Sequence, residues 1–274
     1  MVEWGTVLKT KIKDLLFTKN INIKFDSTDL ILSEFPKSGV TYLSFLIAAY
    51  FKNYYKIKKE VNFFNINDYV HDVHITQKKP ISSDISKYTG FKIFKTHQNE
   101  CNKITKFIYL IRNPINCIQS YVDHFQNFYS SKISFSTLLR TQTYGLEAWI
   151  NHVNNWTLTK RPTGVAIFKY EMLCAEPHIS LGKIIKLIGL KLDKKSLNFS
   201  VNYCSRKNMS LIEDASSYHS HLKTKNGAGF VKLTSRKTDQ LNTNDLNYIY
   251  TRLKQQKNLF IQEYYENIFK KNDQ

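Results

Sequence analysis

One stretch constrains the fold of this chain more than any other, the nine residues Phe-Pro-Lys-Ser-Gly-Val-Thr-Tyr-Leu at 35–43. The apolar run at 29–34 predicts a buried strand before it, and apolar residues at helical spacing predict a helix after it. A helix that starts at such a tight turn presents free N–H groups and a favourable dipole to an anion. Lys37 supplies an ammonium, and Ser38 and Thr41 supply hydroxyls. The stretch therefore predicts a phosphate-binding site.

The order of residues in this loop is not that of a Walker A motif, because Lys37 precedes the glycine instead of following it. The order Pro-Lys-Ser-Gly-x-Thr-x-Leu resembles the 5′-phosphosulfate loop of the cytosolic-type sulfotransferases. That family transfers a sulfonate group from 3′-phosphoadenosine 5′-phosphosulfate (PAPS) to an acceptor. The resemblance implies nucleotide contacts from six consecutive residues, with Tyr42 standing where the family usually has Trp: Lys37, Ser38, Gly39, Val40, Thr41 and Tyr42.

A second motif, Lys-Thr-His, ends the short apolar segment that starts at Phe91. In a strand, Lys95 and His97 point to the same side, so they are expected to face one site together. A lone His after a strand is more often structural than catalytic. The motif nevertheless resembles the family's Lys-Thr-His, which implies that His97 is the general base and that Lys95 contacts the transferring group.

A third motif follows the apolar run at 106–111, which predicts another buried strand. Arg112, Asn113 and Pro114 come next, and Pro114 suits the first position of the helix predicted at 115–125 or the turn before it. The motif resembles the family's 3′-phosphate site, with Arg112 as a planar fork for the phosphate and Ser120 as an added hydroxyl. The alternative is an arginine that only caps a loop.

Three weaker motifs complete the resemblance. A buried strand is predicted at 164–169, running into Tyr-Glu-x-Leu at 170–173, and the resemblance implies that Tyr170 packs on the adenine. Ser205 matches an adenine contact, and Arg206 stands where the family usually has an aromatic residue. The segment 223–232 resembles the family's glycine-containing 3′-phosphate loop, which implies contacts from Lys225, Asn226 and Gly227.

Composition sets broad limits on partners and compartment. The chain has 274 residues and a formal net charge of +18, which suits binding to nucleic acid, to an anionic surface or to a polyanionic cofactor. A coding bias toward Lys and Asn also explains the charge.

The four cysteines have no CxxC spacing, so a reduced, cytoplasmic protein is expected. No apolar run is long enough to span a membrane, and the N-terminus does not have the form of a signal peptide. No Cys or acidic cluster accompanies His71 and His74, and no metal site is predicted.

The strands predicted at 29–35, 91–96, 106–112 and 164–169 alternate with helices. This order predicts an α/β fold, a three-layer sandwich with a central parallel sheet flanked by helices. The resemblance implies a fold related to the P-loop nucleotide kinases. A single domain over 1–274 is expected, with the motif-bearing core at about 29–232 and a helical C-terminal tail at 238–274.

The predicted function is transfer of a sulfonate from PAPS to a hydroxyl or amine of a small-molecule acceptor, in line, with no metal and no nucleic-acid or membrane partner. The acceptor pocket is expected from 52–90, 126–156 and 210–232, where aromatic residues suit a ring-containing acceptor and His or Asp a polar or cationic one. The oligomeric state, monomer or homodimer, is left open. The alternatives are a kinase, which needs a Walker-type loop and a Mg²⁺ carboxylate, and a basic nucleic-acid binder.

Overall fold

The computed structural model describes residues 25–73, 85–98, 106–129, 131–158, 166–215 and 241–269. A five-stranded parallel sheet lies at its centre, with the strand order β2-β3-β1-β4-β5. The strands are β1 (Leu30–Glu34), β2 (His71–Asp72), β3 (Ile93–Thr96), β4 (Lys106–Ile111) and β5 (Ala166–Lys169).

Helices cover both faces of the sheet, and a short 3₁₀ turn at Ile66–Asp68 precedes β2. In chain order, the helices of the described residues are α1 (Val40–Tyr54), α2 (Ser86–Thr89), α3 (Pro114–Tyr129), α4 (Phe135–Leu139), α5 (Leu146–Leu158), α6 (Tyr170–Ala175), α7 (Pro177–Leu187), α8 (Lys194–Tyr203), α9 (Arg206–Ala215), α10 (Thr243–Lys254) and α11 (Leu259–Phe269).

Two apolar cores form because successive side chains of a strand point to opposite faces. Ile31 of β1 and Tyr109 of β4 pack with α3, α5, α10 and α11 on one face. Leu30, Leu32 and Ile108 pack with α1, α7 and α8 on the other face. The result is a helix–sheet–helix sandwich, and the fold class predicted from the sequence is confirmed.

The central position of β1 determines where the site lies. Leu32 of β1 is in register with Lys95 of β3 on one side and with Ile108 of β4 on the other. All three strands run in the same direction, so the turns that follow them leave the sheet at one edge. In open parallel sheets, ligands bind at this carboxyl edge.

The structure corrects two details of the predicted elements. The strand predicted at 164–169 ends at Lys169, where Tyr170 begins a helix, but it is half-buried instead of buried, because it pairs only with β4 among the described strands. The two-residue strand β2 was not predicted, since two residues carry no periodic pattern.

Other predicted elements are confirmed. Helix α3 begins at Pro114 as predicted, and Gly189, with φ 84°, follows the end of α7. The C-terminal tail contains α10 and α11. Apolar residues at helical spacing between Trp4 and Leu16 also predict a helix, which lies outside the described residues. Among the helices described, none is both long and apolar enough to cross a bilayer.

Candidate active site

The turn between β1 and α1 has an unusual backbone. Lys37 has φ 75°, a left-handed conformation that a non-glycine residue seldom adopts, and Gly39 has φ 107° at the N-cap of α1. The first helical hydrogen bond of α1 runs from Leu43 N–H to the carbonyl of Gly39. The N–H groups of Thr41 and Tyr42 therefore have no acceptor within the helix. The turn therefore presents the free N–H groups of a helix N-terminus, a geometry that suits an anion.

A carboxyl group lies beneath this turn. Glu34, the last residue of β1, is 2% exposed, and its Oε2 accepts the N–H of Val40 at 2.6 Å. Burial raises the pKa of Glu34 to about 8, although the Val40 hydrogen bond and the nearby Lys95, Lys37 and Arg112 act in the opposite direction. The group therefore holds its proton near neutral pH, which allows an anion to bind close to it.

Lys37 and Ser38 have different surroundings in the turn. Desolvation lowers the pKa of Lys37 to about 8, an effect that Glu34 partly opposes. Ser38 is fully buried, and its hydroxyl lies 3.4 Å from Sγ of Cys117. In this structure the Ser38 hydroxyl faces the protein interior, while Lys37 remains the cation of the turn.

The end of β3 places Lys95 and His97 beside the turn. Nζ of Lys95 lies 3.0 Å from Oδ2 of Asp72, which β2 contributes. Nδ1 of His97 lies 3.8 Å from Oε1 of Glu34. Both side chains retain some exposure, 19% for Lys95 and 14% for His97. The two residues predicted to act together are thus each held beside a carboxyl group at the carboxyl edge of the sheet.

The main chain after β3 is fixed from behind by α5. Nε2 of His152 lies 3.3 Å from the carbonyl of His97, and Nε1 of Trp156 donates to the carbonyl of Gln98 at 3.0 Å. His152 is buried, and burial lowers its pKa to about 3, so its ring is neutral. These two contacts fix the backbone position of His97.

The end of β4 brings Arg112 to the same turn. Its Nη1 donates to the carbonyl of Lys37 at 2.8 Å, and its guanidinium lies 4.4 Å from the centre of the Tyr170 ring. The Tyr170 ring in turn lies against Gly39, where an added Cβ would come within 2.3 Å of two ring carbons. Ser120 is half-buried, six residues along α3 from Pro114.

The Arg-Asn-Pro turn is held by residues distant in the sequence. Glu171 Oε1 accepts the N–H of Asn113 at 2.9 Å, and its Oε2 accepts the hydroxyl of Tyr264 at 2.8 Å. Nε1 of Trp149 donates to the carbonyl of Arg112 at 3.1 Å. Helices α5, α6 and α11 therefore position Arg112 together.

An aromatic and cationic group lies on the other side of the turn. Tyr42 and Tyr170 are half-buried near each other, and the positive charge of Arg206 acts on both phenols. Burial raises the pKa of Tyr170 to about 12. Ser205 is exposed, and its N–H donates to the carbonyl of Asn202. The predicted residues Lys225, Asn226 and Gly227 lie outside the described residues.

Glu34 was not predicted as a site residue, and Asp72 was predicted only as a polar residue of the acceptor pocket, not as the partner of Lys95. A charged residue at the last position of an otherwise apolar strand was a signal for Glu34, whereas Asp72 gave none without the sheet order. His71 is fully buried, with Nδ1 2.7 Å from the carbonyl of Asn67, so it does not line an open pocket. No cluster of three or more metal-type ligands occurs in the described ranges.

Comparisons with known proteins agree with this geometry. The family model described as "Sulfotransferase domain" matches residues 27–272. Human sulfotransferase 1C2 is 22% identical over 211 residues, covering 66% of this chain and 65% of the relative. Mouse sulfotransferase 1B1 is 26% identical over 217 residues, covering 66% of each chain. These matches span just under two thirds of each relative's own length.

A solved structure shows the same fold. Retinol dehydratase in complex with androsterone and the inactive cofactor PAP has a TM-score of 0.64 at 15% identity, and the match covers 87% of this chain and 84% of that one. At this identity the likeness shows a common fold.

Proposed function

The chain belongs to the sulfotransferase domain family, and we propose that it transfers a sulfonate group from PAPS to a hydroxyl or amine of a small-molecule acceptor. The observation that carries the proposal is the convergence of three motifs at one sheet edge. Arg112, from the end of β4, bonds to the carbonyl of Lys37 at 2.8 Å. His97, from the end of β3, lies 3.8 Å from Glu34, which also binds the turn. A nucleotide phosphate at the start of α1 would lie beside all three motifs.

The proposed nucleotide site uses the groups around the turn. The helix N-terminus, with Gly39, Val40 and Thr41, cradles the 5′-phosphate. Arg112 supplies the guanidinium for the 3′-phosphate, with Ser120 beside it in the family pattern. The remaining proposed contacts, from flanking segments, are Tyr42, Tyr170, Ser205 and Arg206 around the adenine, and Lys225, Asn226 and Gly227 for the 3′-phosphate. The hydroxyl of Ser38 faces the interior and is not among them.

The transfer step needs positioning and charge stabilisation more than covalent catalysis, as phosphoryl transfer does. His97 takes the proton of the acceptor group as the new S–O or S–N bond forms. Lys37 stabilises the charge that develops on the leaving phosphate oxygen. Lys95, oriented by Asp72 at 3.0 Å, contacts the sulfonate oxygens. The attacking and leaving atoms are in line across the sulfur.

A small-molecule acceptor and a cytoplasmic location are part of the proposal. The retinol dehydratase complex holds androsterone together with PAP, which supports a small ring-containing acceptor beside the nucleotide. The described cysteines Cys117, Cys174 and Cys204 are free thiols, which supports a reducing compartment.

The experiment that tests the nucleotide site is calorimetric titration with PAP, with AMP and ATP–Mg²⁺ as controls. We expect a dissociation constant of about 1 μM or tighter for PAP, with binding much weaker when the 3′-phosphate is absent. Preference for ATP–Mg²⁺ would indicate a kinase. Absence of nucleotide binding, with salt-sensitive binding of RNA or DNA, would indicate the nucleic-acid alternative.

A further inference from the structure

A buried carboxyl group faces the proposed base, and nothing in the motif pattern assigns it a role. The side chain of Glu34 is only 3% exposed, and its Oε1 lies 3.8 Å from Nδ1 of His97. Nδ1 itself is buried from solvent, while the His97 side chain as a whole keeps 14% exposure. Of the two ring nitrogens, Nδ1 is therefore not available to an acceptor, which leaves Nε2 for that contact.

We propose that Glu34 is a positioning residue whose carboxylate accepts a hydrogen bond from Nδ1–H of His97, so that Nε2 of His97 is the unprotonated nitrogen that faces the acceptor. The proposal deepens the proposed function, on which its catalytic consequence rests. It concerns a tautomer and an orientation, and Glu34 itself touches neither the nucleotide nor the acceptor.

Both partners are fixed in place, which makes the pairing specific. Oε2 of Glu34 accepts the Val40 N–H at 2.6 Å, at the start of α1, so the carboxyl cannot rotate away without losing this bond. His152 bonds to the carbonyl of His97 at 3.3 Å. A shortening of the Glu34–His97 distance by about 1 Å would create a hydrogen bond, and catalytic hydrogen bonds commonly tighten when ligands bind.

The proton balance of the transfer follows from this pairing. The O–H or N–H bond of the acceptor breaks and its proton goes to Nε2 of His97 while the acceptor atom bonds to sulfur. The bond between sulfur and the leaving phosphate oxygen breaks, and that oxygen keeps the electron pair. The resulting imidazolium carries a proton on each nitrogen, and the Glu34 carboxylate stabilises it through Nδ1–H.

The charges around Glu34 and its burial together predict the pH at which Glu34 is ionised. Three cations act on Glu34, from the turn, from β3 and from the end of β4: Lys37, Lys95 and Arg112. The thiol of Cys117 and the phenol of Tyr109 also interact electrostatically with Glu34. Burial outweighs the three cations and raises the pKa of Glu34 to about 8. The productive form has Glu34 ionised and Nδ1 of His97 protonated. It is therefore populated as the pH rises through about 8, and this pH belongs to the Glu34–His97 pair because the two groups interact.

Glu34→Gln is the informative variant, because the amide oxygen can still accept the Val40 N–H while the negative charge is lost. Asp72→Asn is its matched control. It makes the same change of charge beside Lys95 instead of His97.

The test is ¹⁵N NMR of histidine-labelled protein without nucleotide or acceptor, with the His97 signals identified by their loss in His97→Ala. At about pH 9 we expect His97 in the wild type and in Asp72→Asn to be the Nδ1–H tautomer, and we expect this preference to be lost in Glu34→Gln. An Nε2–H tautomer in the wild type, or the same His97 signals in Glu34→Gln as in the wild type, would overturn the proposal.

A kinetic arm connects the pairing to turnover. With PAPS and the best acceptor of a phenol panel, we expect Glu34→Gln to lower kcat at least about tenfold near pH 9 and to leave the KM for PAPS within about twofold. The rising limb of its pH profile should move toward the ordinary histidine pKa of about 6.5. In a His97→Ala background the same substitution should cause no further loss. Equal losses in both backgrounds would show a structural role only.

The NMR test needs no substrate, so the Glu34–His97 pairing can be found even if PAPS turnover is absent. Failure of the pairing and failure of the proposed function are therefore distinguishable.

Discussion

At the residue scale, the site is electrostatically costly in the free protein. Glu34 and Lys37 are desolvated in the same turn, and the pKa of each moves to about 8, upward for the carboxyl and downward for the ammonium. Each shift means that the fold disfavours the charged form of the group. Such unfavourable groups persist where function requires them, which agrees with a site prepared to receive an anionic ligand.

The first prediction concerns the stability of Glu34→Gln as a function of pH. An unfolded glutamate ionises near 4.5, whereas folded Glu34 ionises at about 8. Between these values the unfolded chain binds fewer protons than the folded protein, so the wild type loses stability as the pH rises. The variant lacks this penalty. Urea denaturation should show Glu34→Gln to be more stable than the wild type by at least about 1 kcal/mol at pH 8, and the difference should shrink toward pH 5. A stability difference between the two proteins that does not change with pH would contradict the raised pKa of Glu34.

The second prediction concerns His97→Ala. Removal of the proposed base should lower turnover at least about 100-fold while PAP affinity by calorimetry stays nearly unchanged, since the ring lies outside the phosphate turn. His178→Ala, at an exposed position of α7, is the matched control and should have normal turnover. Near-normal turnover of His97→Ala would refute its role as the base.

The third prediction concerns Arg112→Ala. Loss of a charge-assisted contact to the 3′-phosphate should weaken PAP binding about 10- to 100-fold, and should weaken binding of adenosine 5′-phosphosulfate much less. Arg252→Ala is the control, because Arg252 pairs with Glu147 away from the turn. Equal losses for the two nucleotides by calorimetry would argue that Arg112 only supports Lys37 and Tyr170.

At the scale of elements, the turn between β1 and α1 depends on α6. The Tyr170 ring fills the space beside Gly39, and the guanidinium of Arg112 lies 4.4 Å from the centre of the same ring. The turn, the end of β4 and the start of α6 therefore form one unit. A change in the turn should be transmitted to the nucleotide site through Tyr170.

The fourth prediction follows from this packing and compares two glycines. Gly39 and Gly90 both have positive φ, but a Cβ at Gly39 would collide with Tyr170, whereas a Cβ at Gly90 would meet nothing within 4 Å. Both alanine variants should lose about 1–3 kcal/mol of stability from backbone strain. Only Gly39→Ala should also weaken PAP binding, by at least about tenfold, since Tyr170 must move. Equal PAP affinity in the two variants would disprove the role of the turn.

Several elements and the position of the site were predictable from the sequence for physical reasons. The strands that became β1, β3 and β4 are apolar runs because both faces of the sheet are covered, and the turn at 35–39 is marked by Pro36 and Gly39. The contacts within the site were not predictable, because they depend on sheet order. Glu34 meets His97, and Lys95 meets Asp72, only because β3 lies between β1 and β2.

At the scale of the whole molecule, the C-terminal helices complete the core behind the site. Ile249 of α10 and Tyr264 of α11 are buried in the same cluster as Trp149 of α5. The Tyr264 hydroxyl also bonds to Glu171, which holds the N–H of Asn113. The tail is therefore expected to fold with the sheet as part of one domain.

The fifth prediction tests this coupling with Tyr264→Phe. The variant removes the hydrogen bond from the tyrosine hydroxyl to Oε2 of Glu171 and leaves the bond from Asn113 N–H to Oε1. Loss of the partner of Oε2 should cost about 1–3 kcal/mol. In urea denaturation the midpoint should fall with an unchanged slope, and tryptophan fluorescence and far-UV circular dichroism should give coincident transitions. Tyr250→Phe, at an exposed position of α10, should change the midpoint little. Separate transitions for the two signals would show that the tail folds independently.

The most direct measurement for the account as a whole is transfer of the label from ³⁵S-labelled PAPS to a panel of phenols, alcohols and amines, compared between the wild type and His97→Ala. With the wild type we expect labelled organic product and an equal amount of PAP, and with His97→Ala we expect at least about 100-fold less product. Label that appears only as free sulfate, or product formed equally by both proteins, would contradict the account.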